Sequence, residues 1–166
     1  MDAVIEGGAQ KQQLINVECA ADFSLVPGLS ISFLYGAVPQ RVSLKLPIMA
    51  SKFLEPTAMD APAFFQRWKL LGAPAQECQK VVKAAQAMER DAVRARLAGA
   101  GLGVLPGVDP NAENFVCAAV MHTTGAQIGC LARLEPNAAA AMYRLTVRAS
   151  REGVAARLVE LLETQL

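Results

Sequence analysis

Hydrophobic and polar residues alternate with a period of two in three stretches near the start of the chain. Ile15, Val17 and Cys19 fall on one side of Leu14–Cys19. Leu29, Ile31, Phe33 and Tyr35 alternate with Ser30, Ser32 and Leu34, and Val42, Leu44, Leu46 and Ile48 alternate with Ser43, Lys45 and Pro47. That period predicts half-buried antiparallel strands, with turns at Pro27-Gly28 and over Tyr35-Gly36…Pro39. Three strands with one apolar face need a second layer to be stable. The pattern therefore predicts the last strands of a β-sandwich whose earlier strands are missing or lie upstream.

The pattern changes across Pro47–Pro56, which marks an expected boundary between a truncated sandwich over 1–50 and a second unit over 51–166. Asp60 suits a helix N-cap with Pro62 in the first turn, and the helix over Ala61–Leu71 ends at Gly72. A second helix is expected from Pro74 to about Gln86, with Val81, Val82 and Ala85 packing inward, and a third over Asp91–Ala98. Gly99-x-Gly101-x-Gly103 neither follows a strand nor opens a helix. It reads as a turn into a strand rather than a phosphate loop. Phe115–His122, Gln127–Glu135 and Ala141–Ala149 read as strands, the last two joined by a turn that begins at Pro136-Asn137. Arg151–Leu166 reads as an amphipathic helix with Val154, Leu158, Leu161 and Leu162 on one face. The fold class is α+β: the last strands of a β-sandwich, followed by a unit that mixes helices with an antiparallel sheet.

Composition narrows the functional classes. The 166 residues carry a net charge of +1 and 19% charged residues, so the chain is neither a globally basic nucleic-acid binder nor an acidic tail. The hydrophobic fraction is 53%, yet no apolar run approaches the ~20 residues a spanning helix needs. Direct membrane insertion is not expected. Met1–Gln13 lacks the basic and apolar regions of a signal peptide. The four cysteines, Cys19, Cys78, Cys117 and Cys130, form no C-x-x-C pair and have one histidine, His122, for company. That spacing argues against a metal centre and for reduced buried thiols. One histidine without recognisable partners supplies no catalytic constellation, so no catalytic residue, enzyme activity or cofactor is expected.

Two features carry candidate chemistry. Pairing Gln127–Glu135 with Ala141–Ala149 places Arg133 and Glu135 on the same sheet face as Arg144, Thr146 and Arg148. Three arginines with one glutamate can hold a carboxylate, or can form an ordinary solvated face whose charges partly cancel. Phe64-Phe65-Gln66-Arg67-Trp68 on the first helix holds the one tryptophan of the chain. Phe64, Trp68 and Leu71 share a helix face and Phe65 flanks it, which suits core packing or a half-exposed aromatic pocket beside the arginines.

A run of motifs resembles the C-terminal appendage of the alpha-adaptin family. The first are Gly7-Gly8-Ala9-Gln10 and Asn16-Val17-Glu18-Cys19, then Leu44-Lys45-Leu46-Pro47-Ile48 and Lys52-Phe53-x-x-Pro56-Thr57-x-Met59. Phe64-Phe65-Gln66-Arg67-Trp68-Lys69 and Val108-Asp109-Pro110-Asn111-x-Glu113-Asn114-Phe115-Val116 continue it. Gln127-Ile128-Gly129-Cys130-Leu131-x-Arg133-Leu134-Glu135-Pro136-Asn137, Met142-Tyr143-Arg144-Leu145-Thr146-x-Arg148-x-Ser150 and Glu160-Leu161-Leu162 complete it. The match runs in order along the chain, is loose over Cys78–Gly107, and departs at Ala138–Ala141.

The resemblance implies a clathrin-adaptor appendage in endocytosis and protein transport, cytoplasmic and peripheral at the plasma membrane in coated pits. It also implies that the sandwich is immunoglobulin-like and that the second unit is an α/β platform whose antiparallel sheet is flanked by helices. Its platform would bind Asp-Pro-Phe, Asp-Pro-Trp and Phe-x-Asp-x-Phe motifs in disordered endocytic accessory proteins through Phe65, Trp68, Arg133, Glu135, Arg144 and Arg148. A second motif site on the sandwich would use Gln10. Other adaptor subunits would be reached through a trunk absent from this chain, which implies a fragment of a longer protein. The rival from another class is single-stranded nucleic-acid binding on a basic sheet face. Near-neutral charge and few exposed aromatics count against that rival, so no nucleic-acid partner is expected.

Overall fold

A computed structural model describes residues 4–166; the first three residues of the expected sandwich portion lie outside it. The elements are β1 (Gly28–Tyr35), β2 (Val38–Lys45), β3 (Leu54–Pro56), α1 (Ala61–Leu70), β4 (Glu77–Lys83), α2 (Arg90–Gly99), β5 (Gly103–Val104), β6 (Phe115–Thr123), β7 (Ala126–Asn137), β8 (Met142–Ala149) and α3 (Val154–Glu163). Strands β1 and β2 form a hairpin, and the other six form one antiparallel sheet ordered β3-β6-β7-β8-β4, with β5 also pairing β6. The chain is thus α+β, as the patterns predict.

The hairpin turns through Gly36 and Ala37, both at positive φ (55° and 64°), the conformation that matches strand twist in a two-residue loop. Its alternation is intact. Ile31 and Phe33 lie opposite Val42 and Gln40, but this face remains substantially exposed. The expected strand Leu14–Cys19 does not form: the segment has no ladder partner, and all but Cys19 are exposed. Alternation supplies a face but no pairing edge, and an unpaired extended segment keeps its backbone groups in water.

The expected helix from Pro74 to Gln86 is instead β4, paired along its whole length with β8 from Glu77↔Arg148 to Lys83↔Met142. Pro74 mimics a helix start, and the alanines and lysines raise helix propensity. Seven residues of ladder and the burial of Val82 on the sheet's inner face override that local preference. The other elements of this half form close to where they are expected. The glycine stretch leads into β5 as a turn, and the last helix spans a shorter core, Val154–Glu163.

Two cores lie on opposite sheet faces. On one, α2 and α3 cover Cys117, Ala119, Cys130, Ala132, Tyr143, Leu145 and Val147, with Val93, Leu97, Leu158 and Leu162 from the helices. On the other, Phe64 of α1 meets Val116, Ala118 and Leu131, with Trp68 and Leu71 packed against this cluster. One helix is too narrow to cover that face, so the outer parts of β7, β8 and β4 remain open beside it. Close approach constrains Gly103, where an added Cβ would sit 2.8 Å from the Thr57 carbonyl oxygen.

Candidate functional site

The register of β7 and β8 fixes what flanks α1. Leu131 pairs with Arg148, Arg133 with Thr146, and Glu135 with Arg144, so these side chains share one face. On β4, Glu77 pairs with Arg148 and Val81 with Arg144, which extends this face to the sheet edge. Asp60 starts α1 by accepting a hydrogen bond from the Ala63 backbone N–H at 2.9 Å. The helix then lays Phe64 on the sheet and leaves Trp68 and Phe65 on the arginine side.

Trp68 is held from two sides. Its ring stacks on Phe64, with centroids 5.4 Å apart and planes at 22°, and the Arg148 guanidinium lies 4.4 Å from its centroid. Arg148 also donates to the Trp68 backbone carbonyl, and its Nε donates to Glu77 Oε2 at 2.5 Å. The arginine therefore ties β8, β4 and α1 together and fixes the tryptophan orientation. Phe65 packs edge-on to Phe64 and remains 38% exposed, so its ring offers an apolar surface to solvent next to Trp68.

The arginines are not free cations. Arg133 Nε donates to Asp109 Oδ2 at 2.6 Å, and Arg133 Nη1 lies 3.3 Å from Glu135 Oε1. Arg144 grips Glu135 with two bonds, Nε to Oε2 and Nη2 to Oε1, both 2.6 Å. Asp109, Glu135 and Glu77 thus offset the three positive charges. Of the two alternatives open from the pattern, charges that cancel describe the resting face. That grip uses Nε and Nη2 of half-exposed Arg144, and its Nη1 makes no hydrogen bond among the described residues.

Asp109 is the residue that sequence reasoning placed in a matching motif without giving it a role. Its side chain is 3% exposed. It accepts from Arg133, from the Asn111 backbone N–H at 2.9 Å and from Asn114 Nδ2 at 3.1 Å. Burial pushes its carboxyl up, but those three hydrogen bonds and the Arg133 charge outweigh burial and hold it below the ordinary value. Glu135 is likewise lowered, first by the Arg144 hydrogen bonds, against burial and with help from Arg133. Asp-Pro-Asn at 109–111 was a detectable signal, because an Asx turn of this kind places a carboxylate against its own loop. Glu77 was missed because its segment reads as a helix.

Trp68 on α1 thus meets Arg148 directly, Arg148 shares its sheet face with Arg133, Glu135 and Arg144, and Phe65 lies beside Phe64 on the same helix. Gln10 does not join them; it lies in the exposed N-terminal segment outside any helix or strand. Among the described residues no group of His, Cys, Asp and Glu is placed to hold a metal, and no helix is long and apolar enough to cross a membrane. Burial pushes the thiols of Cys117 and Cys130 up to about 12, so both are unreactive core residues.

Comparison with known proteins gives a consistent result. The family described as Alpha adaptin AP2, C-terminal domain, matches residues 52–166. The chain is 35% identical over 148 residues, 87% of its length, to the AP-2 complex subunit alpha-2 of Dictyostelium discoideum, of which it covers 15%. It is 27% identical over 96% of its length to the AP-2 complex subunit alpha of Schizosaccharomyces pombe, covering 18% of that protein. The AP-2 complex subunit alpha-1 of Arabidopsis thaliana is 27% identical over 93% of the chain, which covers 15% of that relative. The chain therefore spans less than a fifth of the length of each of these relatives.

Proposed function

The chain belongs to the alpha-adaptin C-terminal domain family, and on that premise we propose that it is a non-enzymatic clathrin-adaptor appendage that captures short acidic–aromatic motifs in disordered endocytic accessory proteins. In this reading residues 1–50 close a β-sandwich and residues 51–166 form the motif-binding platform. The adaptor works in the cytoplasm, peripheral to the plasma membrane in coated pits, and meets other adaptor subunits through parts of a longer protein.

The observation that carries the proposal is the half-exposed Trp68–Phe65 surface bordered by pre-oriented arginines. A phenylalanine or tryptophan of the motif packs on Trp68 and Phe65. Its aspartate meets the Nη1 donors of Arg144, with Glu135 and Asp109 holding the arginine forks in place. Aromatic and arginine side chains dominate peptide hot spots because they combine large apolar area with oriented donors. A short motif buries little area and must order a flexible tail, so single motifs bind weakly and repeated motifs in a coat make capture effective.

The offset charges support a peptide over a nucleic acid, whose backbone demands a surplus of cations. Fluorescence anisotropy of a labelled Asp-Pro-Phe peptide tests the reading against a labelled single-stranded oligonucleotide. Saturable peptide binding that Trp68→Ala weakens markedly supports it. Preferential oligonucleotide binding that falls steeply with salt overturns it.

A further inference from the structure

The sheet register and the packing of α1 leave a different row of the sheet on each side of the helix. Along β6, β7 and β8, the row under the helix is Ala118, Leu131 and Arg148, and the arginine row of Arg133 and Thr146 lies to one side. One step to the other side are Val120, Gly129 and Ser150. Here a groove of about 240 Å³ opens, floored by Val120, Gly129 and Ser150 and walled by Arg67, Leu70 and Leu71 of α1 and its end. At about 100° per residue, Arg67 and Leu70 occupy the helix flank opposite Phe65 and Trp68. The groove is therefore separate from the motif site proposed above, while belonging to the same sheet face.

Three properties describe what fits it. Its lining is almost wholly apolar, and Leu70 at its rim is 73% exposed. Its floor is hollow because Gly129 has no side chain. A Cβ there would meet nothing nearer than Ser150 Oγ at 3.9 Å. Its one charged lining residue, Arg67, forms no ion pair among the described residues, in contrast to Arg133, Arg144 and Arg148. Ser150 Oγ accepts from the Gly129 N–H at 2.9 Å and retains its proton for a further acceptor. The volume lies below the ~300 Å³ at which drug-sized ligand pockets begin, so it suits a single side chain.

We propose that this groove is a second peptide-anchoring site, taking one phenylalanine- or leucine-sized side chain of an extended acidic segment whose carboxylate pairs with Arg67. This inference rests on the motif-capture reading and deepens it: one platform would hold two successive motifs of a single disordered tail, one on each flank of α1. Two linked contacts raise the effective affinity without any change in either site.

The test is a nitrogen-15 shift titration of the chain with a peptide carrying one Asp-Pro-Phe triplet in a Gly/Ser context. In Trp68→Ala, the amides of Val120, Gly129 and Ser150 shift saturably. Those shifts disappear in Trp68→Ala/Gly129→Ile, whose added side chain fills the floor, and Arg67→Glu weakens them about two- to fivefold, the range of an exposed ion pair. If Trp68→Ala does not fold, Arg144→Glu replaces it. Absent shifts at these three amides, with shifts at Trp68 and Arg148 in the unmodified chain, overturn the second site and leave the first. Absence at both places overturns both. Equal shifts with N-acetyl-phenylalaninamide overturn the acidic selectivity. Shifts that grow with protein concentration alone assign the groove to a second copy of the chain and overturn the peptide.

Discussion

Asp109→Asn removes one charge from the network that orients Arg133 while preserving the shape of the side chain. The wild-type carboxylate is 3% exposed and accepts four contacts: Arg133 Nε at 2.6 Å, Arg133 Nη2 at 3.5 Å, and the Asn111 and Asn114 nitrogens. An asparagine oxygen can keep one or two of these, but its NH₂ must face a donor. A hydrogen bond to a charged group contributes about 1.5–3 kcal/mol, and breaking a fully buried pair costs about 3–5 kcal/mol. Arg133 is 32% exposed, and water recovers part of the loss, so the expected cost is about 2 kcal/mol. For a chain of this size that lowers Tm by roughly 4–8 °C.

The pH dependence provides the stricter check. The folded-state pKa of Asp109 lies below its ordinary value of 3.8. Its stabilisation is therefore complete above that value and is lost as pH falls through the folded-state pKa. Calorimetry of both proteins from neutral to strongly acidic pH should show the gap in Tm closing only at the acid end. A gap below 1 °C at neutral pH, or one that stays constant into strong acid, refutes the reasoning.

Trp68→Ala should remove peptide binding at the Trp68 surface and cost about 2–3 kcal/mol, below the fully buried range because the ring is only half-buried; binding assays paired with a thermal melt separate the two effects. Arg144→Glu should weaken an acidic motif more than its uncharged analogue in the same titration, since the residue lies on the surface and its main partner is Glu135. Gly103→Ala should destabilise the chain by about 1–3 kcal/mol in urea unfolding, because the new Cβ meets the Thr57 backbone at 2.8 and 2.9 Å and the Ala118 oxygen at 3.0 Å.

The parts of this fold that were legible from the chain are those where periodicity and local chemistry agree. Asp60, Pro62 and the Phe64–Trp68–Leu71 stripe specify α1 locally, and the alternation of β7 and β8 places Arg133, Glu135, Arg144 and Arg148 on one face before any pairing is known. What failed depended on distant partners. Glu77–Lys83 has local helix propensity and becomes a strand because β8 presents a free edge to it. Leu14–Cys19 has strand alternation but finds no ladder partner, with only the Cys19 carbonyl accepting from the Thr124 N–H. The aromatic and arginine members of the site and Glu135 were readable, whereas the more distant acidic partners Asp109 and Glu77 were not. Asp109 reaches Arg133 across 24 residues and Glu77 reaches Arg148 across 71, and no local pattern encodes such separations.

The central claim is that Trp68 and the arginines beside it form a peptide-binding surface, and Trp68 is the one tryptophan in the chain, so its own fluorescence reads the claim directly. An Asp-Pro-Phe peptide should change Trp68 emission saturably, and an Ala-Pro-Ala peptide should leave it unchanged. Emission that stays constant up to the solubility limit of the Asp-Pro-Phe peptide, in a chain that melts cooperatively, would contradict the account.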